Sequence, residues 1–295
     1  MTAVADGGEH PHPVTGVAFP SPVPPGTGWP DDLADADTPV AGDADAVRAL
    51  ASSSHTLTDV TARSSVCRAC PRLVRWREDV ALAKRKSFAD QPYWGRPAPG
   101  GGAERPRIVV VGLAPAANGA NRTGRVFTGD RSGDWLYAAL HRTGLATQAA
   151  ATFAGDGLRL IETRVVAAVR CAPPANKPTP SERDACSAWL DREMDLILPS
   201  TRVVVALGSF AWTAALGTLR NAGLDVPRPR PKFGHGVAVD LGQVTLLGCY
   251  HPSQQNTFTG KLNEDMLDAV FGRAAEYAGL LGRPGDQVQR RTPSR

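Results

Sequence analysis

Four short apolar runs punctuate the chain: RIVVVG (107–112), TRVVAAVR (163–170), RVVVALG (202–208) and QVTLLGCY (243–250). Each is β-branched or aliphatic through its length, without the polar alternation of a half-solvated strand, so each predicts a strand buried on both faces. Stretches with helical spacing follow them in turn: DWLYAALHRTGL, SERDACSAWLDREMDLIL, SFAWTAALGTLRNAG and NEDMLDAVFGRAAEYAGLL. Pro180–Ser181–Glu182 predicts a helix start and Gly223 a helix stop. Strand–helix alternation predicts an α/β fold, a three-layer αβα arrangement around a central, mainly parallel four-stranded sheet.

The polar loops break this regular pattern. GLAPAANGANRTGRVFTGD follows the first strand, CAPPANKPTP the second and HPSQQN the fourth. Ligands of such sheets sit beyond the carboxyl ends of the strands, so three unusual loops are expected to meet at one rim.

Composition divides the chain unevenly. Residues 1–60 are rich in Pro, Gly and Ala and hold nine acids against one base, Arg48, which leaves 32 bases and 20 acids for residues 61–295. The acidic segment 1–60 is too poor in apolar residues to offset the entropy of ordering, so disorder is expected there. Residues 61–282 are expected to form one basic domain and 283–295 a basic tail. A basic domain favours a polyanionic partner. No apolar run approaches the roughly 18 residues of a membrane span, and no basic-then-apolar leader opens the chain. The expectation is a cytoplasmic, nucleoid-associated protein with no membrane partner, acting as a monomer.

Five cysteines raise the question of a metal. Cys67 and Cys70 form Cys-x-x-Cys, Cys171 and Cys186 lie far downstream, and Cys249 sits in an apolar strand where core packing explains it. The motif follows the polar DVTARSSV rather than a strand, which is a poor setting for a thioredoxin-type redox pair. Four thiolates can hold tetrahedral zinc or a cubane iron–sulfur cluster, and four unrelated buried thiols are the plain alternative. The spacing alone does not separate these.

In the first loop, Gly112, Gly119 and Gly124 permit close backbone approach to an anion or a base carbonyl. Phe127 could stack on a ligand ring or pin the loop. Asp130 could activate water, or cap the helix that begins near Ser132, which is the commoner use of such an Asp. His251, with Ser253 and Asn256 close behind, forms a cluster of polar groups at a strand's carboxyl end.

The pieces VCRACPRLVRWRE, PYWGRPAPG, GLAPAANGANRTGRVFTGD, AAVRCAPPANKPTP and HPSQQNTFTGKL together cover roughly residues 63–280. In combination they resemble family 5, or type B, of the uracil-DNA glycosylase superfamily, the iron–sulfur branch. The resemblance implies a 4Fe–4S cluster on Cys67, Cys70, Cys171 and Cys186. It also implies excision of uracil and related damaged bases from DNA, which leaves an abasic site. Other branches place an acid just after the glycine that ends the first strand, where this chain has Leu113 and Ala114. They read uracil with an Asn four residues before the third cysteine, where this chain has Ala167. Loss of that amide predicts broader base choice, reaching deaminated purines such as hypoxanthine, with Asn176 as a replacement polar group.

Within that reading Asp130, His251 and Asn176 are the catalytic candidates. Gly112, Ala114, Phe127 and Asn256 are candidates for base binding, and Ser253 and Gln255 for DNA contact. His251 would donate to the departing base, Asp130 would manage water and Phe127 would stack on the flipped base. Gln254–Gln255 would probe the gap in the duplex, although apolar wedges are the usual inserts. The run RLVRWREDVALAKRK (72–86) could line the DNA path, and phosphate contacts would make affinity fall steeply with salt. A non-catalytic nucleic-acid-binding protein organised by a metal is the rival class.

Overall fold

The computed structural model describes residues 8–280. A two-strand ribbon, β1 (His10–Pro11) with β2 (Ala18–Phe19), opens the described chain, and helices α1 (Ala44–Ser52), α2 (Leu57–Ser65) and α3 (Pro71–Ala83) follow. Then come β3 (Gly101–Gly102), β4 (Ile108–Gly112), the one-turn α4 (Ala120–Thr123), α5 (Arg131–Arg142) and β5 (Thr163–Ala167). The remainder is α6 (Pro180–Ile197), β6 (Val203–Leu207), α7 (Ser209–Asn221), β7 (Ala238–Asp240), β8 (Thr245–Cys249), α8 (Gln254–Phe258) and α9 (Glu264–Tyr277).

The sheet has the order β3-β5-β4-β6-β8-β7. Its four central strands are the parallel ones that the apolar runs predict, with Gly112 opposite Ala167 and Val205 opposite Leu247. Two very short antiparallel strands, β3 against β5 and β7 against β8, extend it to six and make it mixed. β3 is two glycines, which carry no strand propensity to read.

Alternate residues of the buried strands feed opposite layers. Ile108, Val110, Val165, Val205 and Leu247 pack with Leu136, Leu140, Leu267 and Phe271 of α5 and α9. Val109, Val111, Val166, Val204 and Leu246 pack with Leu190, Met194, Trp212 and Leu216 of α6 and α7. Helix starts follow local chemistry. Thr179 and Glu182 form a reciprocal capping box with Pro180 in the first turn of α6, and Gly223 follows the end of α7 in the left-handed region (φ +90°). Among the described residues no helix is long and apolar enough to cross a membrane.

Residues 8–60 differ from the disorder that their composition predicts. Phe19, Val23 and Trp29 are buried with Trp94 and Phe153, while Val47, Ala51 and Val60 pack on Trp189 of α6. Tyr93 N–H donates to Ser21 Oγ (2.8 Å), and the buried Arg96 pairs with Asp32 (2.7 Å). Average hydropathy misjudges this segment because a few large rings, each burying about 150–250 Å², dock into a core supplied by the rest of the chain. The expected boundary at 60 therefore does not separate an unstructured part from a structured one. The basic tail 283–295 lies outside the described residues.

Candidate active site

Three polar turns meet at the carboxyl edge of the sheet. After β4 the chain makes α4 and then doubles back, so that Phe127, in the left-handed region at φ 55°, lays its ring against Gly112. A Cβ at Gly112 would stand 2.6 Å from Phe127 Cε2, and a Cβ at Gly133 would collide with the Phe127 carbonyl oxygen. A bulky residue in that conformation costs about 1–3 kcal/mol and persists only where the surroundings over-determine it. Here Tyr137 Oη donates to Val126 O (3.0 Å), Thr123 Oγ1 to Thr128 O (3.1 Å) and Arg122 Nη2 to Gly129 O (3.0 Å). Arg125 reaches across to Asp156 (2.7 Å).

Asp130 is the N-cap of α5. Its Oδ1 accepts the Gly133 N–H (3.0 Å), while Oδ2 lies so close over Gly119 that any side chain there would displace it. Burial holds the Asp130 carboxyl above the usual carboxylate range, against the pull of the cap N–H groups and Arg122. Capping and the placing of a second, uncommitted oxygen are thus combined in one residue.

His251 follows β8, and its ring centroid is 5.7 Å from that of Phe127 with the planes 37° apart. Gly208, the first residue beyond β6, backs it at 3.5 Å from a would-be Cβ. Burial pushes the His251 pKa down to about 4, so the imidazole is neutral at pH 7, with one N–H to give and one lone pair to accept. The turn that carries it is self-braced. Asn256 Nδ2 and Ser253 N both donate to the His251 carbonyl (2.8 Å each), and Ser253 Oγ caps α8 through Asn256 N (3.4 Å). Asn256, expected at the base, spends its amide on positioning the histidine. Gln254 and Gln255 are exposed at the outer side of this turn.

Phe127, Asp130 and His251 are therefore brought to one edge. Asn176 lies on an exposed single turn after β5, in the left-handed region at φ 56°, and makes no side-chain contact with that trio. Ala114 faces the other way and packs with Leu73, Val169, Cys70 and Cys171.

That second direction leads to the sulfurs. Cys67, Cys70, Cys171 and Cys186 line one largely apolar pocket with Val47, Leu73 and Trp189. Arg77 donates to Cys171 Sγ (3.0 Å) and Arg170 N to Cys186 Sγ (3.4 Å). The buried Trp189 indole N–H lacks an oxygen partner and favours the Cys67 thiolate. Burial and mutual repulsion push the Cys70 thiol up to about 12 and that of Cys186 further, so four anions there require a cationic core. Among the described residues no His, Cys, Asp or Glu set is drawn in tightly enough for a single metal ion. Four sulfurs around one pocket, met by N–H donors, suit a larger iron–sulfur core.

Several contributors escape sequence reasoning. Gly119 and Gly208 matter through close approach, which only the folded backbone reveals. Arg164 and Arg170 clamp the buried Glu193 behind the sulfur pocket. The alternation RPRPKFG (227–233) is a legible signal: it carries exposed Arg228, Arg230 and Lys232 toward Phe233, which packs on Tyr250 beside His251. Of the basic run 72–86, Arg77 is buried and Arg72 is tied to Glu182 (2.7 Å).

A family model described as the uracil DNA glycosylase superfamily matches residues 99–274. The type-5 uracil-DNA glycosylase of Mycobacterium bovis is 58% identical over 270 residues, covering 91% of this chain and 99% of that protein. The type-5 enzyme of Thermus thermophilus is 48% identical over 217 residues, 73% of this chain and 95% of its own. A type-4 uracil-DNA glycosylase of Archaeoglobus fulgidus is 33% identical over 182 residues, 61% and 81% of the two chains. With the strand-end site and the sheet already in view, these matches make the chain a member of the uracil DNA glycosylase superfamily.

Proposed function

We propose that the protein flips uracil out of DNA and hydrolyses its N-glycosidic bond, and that it accepts other deaminated bases such as hypoxanthine. The reading is carried by the convergence of Phe127, Asp130 and neutral His251 at one edge of the sheet. Phe127 supplies a flat apolar surface for the extruded base. An N–H of neutral His251 donates to the base carbonyl as negative charge develops there, a contact of about 2.7–4 kcal/mol in comparable sites. Asp130 Oδ2 orients the attacking water and offsets the positive charge of the sugar, while Oδ1 stays committed to the cap.

Breadth of base choice follows from Ala167. It lies beside Gly112 in the sheet register and in the same apolar cluster as Phe127, so the floor of the site offers no amide to reject a purine. Exposed Asn176 is available to a nucleotide only from outside this floor.

Cys67, Cys70, Cys171 and Cys186 would hold a 4Fe–4S cluster. When bound, it supplies a covalent tie between segments about a hundred residues apart, whose closure would otherwise cost chain entropy. Ser253, Gln255 and the exposed cations near the rim would meet the DNA backbone. Purified protein should release the base from duplexes bearing uracil or hypoxanthine, leaving sites that alkali cleaves. Tight binding without any alkali-labile site would favour the non-catalytic reading instead.

A further inference from the structure

Base extrusion leaves a hole in the duplex, and the expected probes of that hole, Gln254 and Gln255, are polar. One turn further along the same short helix stands Phe258, 66% exposed and the most exposed large hydrophobic side chain among the described residues. It is three residues from Gln255 and four from Gln254, so all three share one face of α8. The segment is stiff. Ser253 caps it, Thr257 Oγ1 donates to Ser253 O (3.2 Å) and Thr259 Oγ1 to Gln255 O (2.7 Å). Leu262, wholly buried, anchors its exit through Leu262 N to Asn256 O (3.0 Å). Because Asn256 also holds the His251 carbonyl, Phe258 is mechanically continuous with the histidine.

On its other side, the guanidinium of Arg131 lies 4.6 Å from the Phe258 ring centroid, and Arg131 is itself exposed, one residue beyond Asp130. The ring therefore bridges the outer lips of the two catalytic turns, covered only by a cation suited to a phosphate. An aromatic ring has no stabilising reason to stand in water at such a place. Resting on the glycosylase reading, we infer that Phe258 fills the gap left by the flipped nucleotide, inserting between the neighbouring bases while Arg131 swings to the backbone. Gap-filling by apolar side chains is a general device of DNA-deforming proteins.

The alternative is a cation–π tie that merely holds two loops together, and substrates separate the two. The full-length protein is compared with Phe258→Ala, Phe258→Leu and Arg131→Ala in single-turnover excision of uracil from a duplex and from the same strand alone, with 2-aminopurine beside the uracil reporting unstacking. Phe258→Ala should slow duplex excision by between about fivefold and about a hundredfold and weaken the 2-aminopurine signal, the range expected for one lost stacking partner. Single-strand excision should stay within about twofold, since no hole needs filling there. Phe258→Leu, which cannot make a cation–π contact but can still wedge, should recover most of the duplex rate, and Arg131→Ala should affect both substrates little. Equal loss on both substrates, or no rescue by Leu, overturns the wedge assignment and leaves the glycosylase reading intact. A parent protein that excises uracil from neither substrate overturns both.

Discussion

The catalytic rim and the sulfur pocket are neighbours built by opposite means. At the rim, position comes from the backbone: a left-handed Phe127, glycines at 112, 119 and 133 that admit contact no side chain would allow, and helix caps at Asp130 and Ser253. The partners lie within about two dozen residues of each other along the chain. At the pocket, sulfurs from Cys67 and Cys70 meet those of Cys171 and Cys186 across a long sequence separation, and apolar walls with a few N–H donors surround them. Local geometry suits a site whose atoms must be aimed; long-range closure suits a site whose work is to hold. Arg77 joins the two, donating to Cys171 Sγ while its carbonyl accepts from Asn121 Nδ2 (3.1 Å) in the catalytic loop.

This contrast is open to direct attack. The largest effect is expected at the pocket: Cys67→Ser combined with Cys70→Ser should remove broad visible absorption and lower folding stability by more than about 3 kcal/mol, read by denaturant unfolding. Asp130→Asn is the sharpest rim substitution, because Asn caps a helix as well as Asp does. Excision should slow by about 10²–10⁴-fold with DNA affinity nearly unchanged. Stability should rise slightly at neutral pH, since the buried Asp130 carboxylate opposes folding once pH exceeds its raised pKa. An equal fall in binding and in rate would mean that Asp130 is only a cap. His251→Ala should lower the rate by about 10²–10³-fold.

A pH titration separates that histidine's structural and chemical parts. The unfolded chain binds a proton near 6.5 that folded His251 refuses until about 4, so stability should decline as pH falls through that interval. The His251→Ala variant should lack this portion of the decline in pH-dependent unfolding. The smallest effect is expected from Gly119→Ala, which presses a methyl group on Asp130 Oδ2. About 1–3 kcal/mol of strain and a modest loss of rate should appear together, and a silent substitution would show the loop to be looser than drawn.

The central strands were legible because burial on both faces writes an unbroken apolar run, and α6 was legible because Pro180 and Glu182 sit where a capping box needs them. The edge strands were not, being too short to impose a period. The docking of residues 8–60 was hidden for a different reason: Phe19, Trp29 and Val47 are sparse, and their partners, such as Trp94 and Trp189, lie far along the chain. At the site, residue types announced His251 and Asp130. That Asn256 braces the histidine, or that Gly119 yields room to a carboxylate, depends on approach distances that no one-dimensional pattern carries.

The edge strands have a consequence of their own. The order of the sheet puts β4 and β6, with their runs of three consecutive valines, at its two innermost places. Such segments, low in charge and free of proline, are the kind that seed cross-β fibrils when they stand at a border. Flanking them are β5 and β8, and beyond these only two glycines on one side and three residues on the other. So brief a selvedge offers a passing molecule almost no ladder to continue, and the stretches best able to polymerise are the ones that the architecture keeps furthest from any stranger.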